Sequence, residues 1–113
     1  MNGLMSLTLV EGVLALEQTE TQYKVDVSRS QRRASYNRSC SDWFSACTKD
    51  PSHPDKRAEL LVAKEFQDRA DMEEGIVESR LQSLAKIRDL KRRMLLLLEE
   101  VGRLEASIAA HKH

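Results

Sequence analysis

The side chains of this 113-residue chain best suited to chemistry are two cysteines, three histidines and a serine that follows two arginines. Cys40 and Cys47 are seven residues apart, so on one helix they share a face but lie about 10 Å apart along the axis, too far for a mutual disulfide. They read as free thiols of a reducing compartment. With His53, His111 and His113 they do not make a zinc-ligand spacing, and His111-Lys112-His113 reads as a solvated tail, so no metal is expected. Arg32-Arg33-Ala34-Ser35 has the basic pattern favoured by cyclic-nucleotide-dependent kinases, which makes Ser35 a candidate phosphosite. Phosphate there would add negative charge opposite an acidic strip at residues 68–71 and loosen their pairing.

No histidine neighbours a nucleophile, no glycine loop could cradle phosphate, and no carboxylate pair sits in a segment that would form a pocket. An enzyme is not expected, nor a cofactor or small-molecule substrate. Two basic runs, five residues within 86–93 and four within 29–38, are the only features that suggest nucleic acid. No set of aromatics interleaves with them for base stacking, and acidic segments elsewhere in the chain can absorb their charge, so no nucleic-acid partner is expected.

The elements that must carry these residues are helices. The chain is 32% charged and only 4% aromatic, its net charge is zero, and its two prolines sit together at Pro51 and Pro54. Two long helices with one turn are the simplest reading: a tail at 1–6, a first helix at 7–49, a turn at 50–54, a second helix at 55–110 and a tail at 111–113. In the first helix Leu9, Val13, Leu16, Tyr23, Val27, Ala34 and Phe44 follow one three-four register, with Glu20, Ser30, Asn37 and Ser41 in the gaps. The Ser-, Arg- and Asn-rich stretch at 28–41 is where this helix would break. Pro51 stops it, and Ser52, Pro54, Asp55 and Glu59 suit the cap and first turn of the next. The first sixteen residues are apolar but lack a basic leader and contain Glu11, and no uncharged run is long enough to span a membrane. The expected location is the cytoplasm, or the exterior by a route without a cleaved signal.

The strongest pattern is in the second helix, where Leu84, Ile87, Leu90, Met94, Leu97, Val101, Leu104 and Ile108 recur at three and four. Folding the helices about residues 52 and 53 sets position i against 105 minus i. Charges then complement in both halves: Arg29, Arg32, Arg33 and Arg38 face Asp68, Asp71, Glu73, Glu74 and Glu78, while Glu11, Glu17 and Glu20 face Lys86, Arg88, Lys91, Arg92 and Arg93. Trp43 and Phe44 would meet Leu61 and Val62, Val27 would meet Val77, Tyr23 would meet Leu81, and Gly75 would allow close approach at Ser30. The expected fold is therefore all-α, an elongated antiparallel helical hairpin or coiled coil. Its seam is Val13, Leu16, Tyr23, Val27 and Phe44 against Val77, Leu81, Leu84, Ile87, Leu90 and Leu97. The three-residue steps from Leu81 to Leu90 would bend or rephase it.

One partner helix cannot cover the five apolar residues in a row at Met94, Leu95, Leu96, Leu97 and Leu98. The hairpin should therefore oligomerise or join a larger helical bundle. Leu7, Leu14, Met94, Leu95, Leu96, Leu98 and Val101 are the expected interface with a second copy or another helical protein. The expected function is that of a structural assembly subunit. The turn Asp50-Pro51-Ser52-His53-Pro54, followed by Ala58-Glu59-Leu60-Leu61, resembles that of type III secretion needle subunits. The likeness is confined to residues 50–61; the second helix here is much longer, and cysteines are present. It implies the alternative of a protein-secretion component: a filament subunit, an export-apparatus coiled coil or a small helical chaperone.

Overall fold

The computed structural model describes residues 2–50, 52 and 56–111, with side chains from Ser6 onward. It is an all-α helical hairpin. Helix α1 spans Asn2–Cys47 and helix α2 spans Lys56–His111, and no strand occurs among the described residues. Residues 2–6, expected as a tail, are thus part of α1, and His111 belongs to α2. The polar stretch at 28–41 is continuous helix, because Ser30 and Ala34 are buried against the partner helix while its arginines reach solvent or acidic side chains. Most of the helical stability of such a segment comes from packing and little from its propensity.

At the end of α1 the Thr48 hydroxyl donates to the Ser45 carbonyl at 2.7 Å, and the Lys49 and Asp50 amides donate to Ala46 and Cys47 at 3.1 Å. The Asp50 carboxylate then accepts both the Ser52 amide, at 3.0 Å, and the Ser52 hydroxyl, at 2.8 Å. Both contacts are local to the turn; the amides that Ser52 is expected to cap at the start of α2 lie outside the described residues. Pro51, His53, Pro54 and Asp55, which carry the stop-and-restart signal and the needle-like turn, lie outside the described residues, as do Lys112 and His113.

The chain divides into two compact units: Val25–Leu81, which contains the turn, and Met1–Lys24 with Gln82–His113. In the turn unit the buried positions are Val27, Ser30 and Ala34 on α1 and Ala63 and Ala70 on α2. Half-buried Asn37, Ser41 and Phe44 continue the α1 row, and Phe66, Glu73, Val77 and Arg80 the α2 row. Both rows alternate steps of three and four, the 3.5-residue period of a coiled coil. Ala70 has no exposed surface at all, so small residues let the helices of this unit approach closely. Phe44 stacks on Phe66 with ring centroids 5.8 Å apart, Trp43 meets Phe44 edge-on at 4.8 Å, and the Arg69 guanidinium lies 5.5 Å from the centre of the Phe66 ring. Phe44 therefore packs one turn beyond the expected Leu61 and Val62.

In the other unit Val13 and Glu20 of α1 and Leu84 and Ile87 of α2 are buried. Leu9, Leu16 and Tyr23, with Lys91, Met94, Leu98, Val101 and Glu105, are half-buried on the same three-four rows. Burying a Leu or Ile side chain contributes roughly 1.5–3 kcal/mol, which makes Leu84 and Ile87 the main apolar anchors. A Cβ on Gly12 would overlap the Met94 methyl, whereas one on Gly75 would meet nothing within 4 Å. Close approach is thus a property of Gly12, and Gly75 lies on an open surface.

Three expected seam residues are displaced. Leu81, Leu90 and Leu97 are each about half exposed, and the packed row passes one residue away, through Arg80, Lys91 and Leu98. Hydrophobicity alone selects the leucines. Arg80 and Lys91 win the inward positions because their stems are aliphatic and their heads reach acids, Asp26 Oδ2 at 4.0 Å and Glu20 Oε1 at 2.9 Å. The three-residue steps from Leu81 to Leu90 consequently do not describe packing; from Leu84 the row runs to Ile87, Lys91 and Met94. Paired positions within each unit add to between 106 and 112 instead of 105. The Phe44 stack on Phe66 belongs to this shifted alignment.

Candidate association surface

Two features of the unit formed by Met1–Lys24 and Gln82–His113 carry its functional character. The first is an ionic node. Glu20 sits on the inward row of α1, where an aliphatic residue would be expected, and only 8% of it is exposed. Its two oxygens accept from Lys91 Nζ at 2.9 Å and Arg88 Nε at 3.0 Å, and Lys24 lies at 3.9 Å. The Lys91 and Arg88 hydrogen bonds, helped by the positive charge of Lys24, hold its carboxyl down at about 2, against an ordinary 4.5, despite the opposing effect of burial. A buried charge at an inward coiled-coil position fixes register and direction more than it stabilises. Farther along, the Ser6 hydroxyl donates to Glu105 at 2.9 Å.

The second feature is a stripe on α2. Leu90, Met94, Leu97, Val101, Leu104 and Ile108 recur at steps of four and three and so share one face. This face overlaps the packed row at Met94 and Val101 but is rotated away from it. Leu97 is 48% exposed and Leu104 63%, with Leu90 and Ile108 close to half. Leu95 and Leu96 are half exposed beside them, and on α1 Leu7 and Leu14 are more than half exposed.

Of the expected interface residues, Leu7, Leu14, Leu95 and Leu96 are exposed, and three are shared with the packed row. Met94, Leu98 and Val101 lie on the row that packs within the unit and are half-buried. Leu90, Leu97 and Leu104, assigned from sequence to the seam, are the ones left facing outward. The signal was present in the sequence. Two registers overlap on α2, Leu84, Ile87, Lys91, Met94, Leu98, Val101, Glu105 and Ile87, Leu90, Met94, Leu97, Val101, Leu104, Ile108. The run of four leucines is where both pass through the same turn.

The turn unit is charged where the other is greasy. Arg38 donates to Glu74 and Asp71, with closest approaches of 2.6 and 3.1 Å, and these carboxylates raise its affinity for the proton. Arg33 lies 3.9 Å from Glu73, and Arg29 and Arg32 pair with no described residue. A shallow groove of about 410 Å³ is lined by Arg32, Arg33, Tyr36, Asn37 and Arg69. Ser35 is exposed beside Arg38, on the rim of a second groove with Gln31, Ala34, Glu74 and Val77. Cys40 and Cys47 are both free and half-buried. Burial, then the nearby Glu59 and Asp50 charges, push the Cys47 thiol up, and a hydrogen bond with Cys40 raises the Tyr36 hydroxyl.

No group of three or more His, Cys, Asp or Glu side chains among the described residues could hold a metal ion, and no described helix is long and apolar enough to cross a membrane. Compared with family models, curated proteins and solved structures, the chain matches none.

Proposed function

We propose that the chain is a non-enzymatic coiled-coil assembly subunit whose α2 stripe docks a helix of another protein molecule. The observation that supports this reading is the second three-four register on α2, whose outward members, Leu90, Leu97, Leu104 and Ile108, are left about half exposed or more by α1. Single exposed leucines are ordinary on a protein surface, but a row of them at helical spacing makes a contiguous apolar face. Covering the exposed half of Leu90, Leu97 and Leu104 would contribute roughly 1 kcal/mol each, a return that only another helix laid along the stripe can collect in full. Shallow, open grooves in the turn unit offer no comparable enclosure for a small molecule.

The test is to replace Leu97 and Leu104 with Glu in the full chain and compare its molar mass with the wild type by light scattering. The reading expects the variant to run at lower mass with unchanged helix content by circular dichroism. A wild type larger than one chain whose mass these substitutions leave unchanged would contradict it.

A further inference from the structure

Resting on that reading, we infer that the stripe's occupant is a second copy of this chain, laid antiparallel along α2 about a two-fold axis between Leu95 and Leu96. Antiparallel helices pack by alternating layers, and in this register position i meets position 191 minus i of the other copy. Leu90 then meets Val101 and Met94 meets Leu97, each twice by symmetry, so all four central layers are apolar, while Leu104 reaches the edge of the seam where Ile87 is already buried against α1.

Charge selects this register from its neighbours. Arg93 and Glu100 stand one residue before Met94 and Val101, seven apart, on the solvent edge of the stripe. Both are exposed. Arg93 has only a local partner, Asp89 at 3.0 Å, and Glu100 pairs with no described residue. In the antiparallel register Arg93 of one copy lies beside Glu100 of the other, twice. Sliding by one heptad in either direction sets Arg93 against Arg93 or Glu100 against Glu100 at the axis, and like charges at such positions repel. The complementarity is thus self-directed: one surface supplies both signs at the spacing that a two-fold requires. A helix of unrelated sequence has no reason to match it.

The experiment is sedimentation equilibrium of the full chain and of Arg93→Glu, Glu100→Arg, the double charge swap and Leu97→Glu with Leu104→Glu, with circular dichroism as the control for folding. The wild type should dimerise. Each single reversal should weaken the dimer by about tenfold, and the double swap should recover most of that loss, because it restores unlike charges across the axis. A wild type that stays monomeric at every concentration would overturn the second-copy inference, as would a double swap weaker than either single. In both cases the docking reading would stand, its occupant being a different helical protein. If the wild type self-associates and the leucine double variant associates just as well, both the inference and the docking reading fall.

Discussion

The two units are built from the same pair of helices and the same three-four spacing, yet they close differently. Around the turn, Ser30, Ala34, Ala63 and Ala70 make a narrow seam of small side chains. Arg33 and Arg38 reach across to acids on α2, and the large apolar side chains left outside, such as Tyr36, Trp43, Leu61 and Met72, do not follow one continuous register. In the other unit the seam is aliphatic, interrupted by the Glu20 node, and a second apolar register runs beside it. A helix needs one stripe to pair once and two stripes to pair twice. The difference teaches that pairing in the turn unit uses the apolar pattern its helices have, whereas in the other unit it leaves half of that pattern uncovered.

Substitutions can break or sharpen this contrast. The largest effect is expected at Leu84, which is 3% exposed: Leu84→Ala should destabilise the chain by about 2–5 kcal/mol in urea unfolding. Leu97→Ala, on the stripe, should cost well under half of that in dilute solution while weakening association. Ala70→Leu comes next. With no exposed surface at Ala70, the added side chain must push the helices of the turn unit apart, at a cost of about 1–3 kcal/mol. The same Ala→Leu change at half-exposed positions should be almost neutral.

Acid separates the units by charge. Glu20 is held at about 2 when folded, below its ordinary 4.5, so the folded state binds its proton less readily than the unfolded chain does. Its stabilisation is complete above the ordinary value and is lost as pH falls from there through about 2. Melting temperature followed from pH 6 to pH 2 should drop more for the wild type than for Glu20→Gln, which has no carboxyl to protonate. Equal slopes would show that the node does not couple to folding. The smallest effect belongs to Arg38→Ala. Its ion pairs are substantially exposed, so any loss of stability should shrink to nothing at about 1 M salt, where screening acts over roughly 3 Å.

Much of the fold was legible because it depends on spacing. The α1 register from Leu9 through Glu20, Ser30 and Asn37 to Phe44 matches the buried and half-buried positions, polar gaps included. The pairing of arginines in the turn unit with Asp71, Glu73 and Glu74 also follows from the charge blocks. What misled was the strength of the leucine signal on α2. Arg80 and Lys91 look like surface residues until their acidic partners are known, so hydrophobicity placed the seam at Leu81, Leu90 and Leu97 and exchanged seam for surface at Leu97 and Leu98. Glycine carried the opposite ambiguity. Gly12 and Gly75 are equivalent as letters, and only the Met94 side chain distinguishes them.

The most direct test of the central claim is hydroxyl-radical footprinting of the full chain, read by mass spectrometry at low and high protein concentration. The account predicts that labelling of Leu90, Leu97 and Leu104 falls as concentration rises, while Leu60 and Leu61, equally exposed in the turn unit, label alike throughout. Protection of Leu60 and Leu61 with the α2 leucines still open would contradict it.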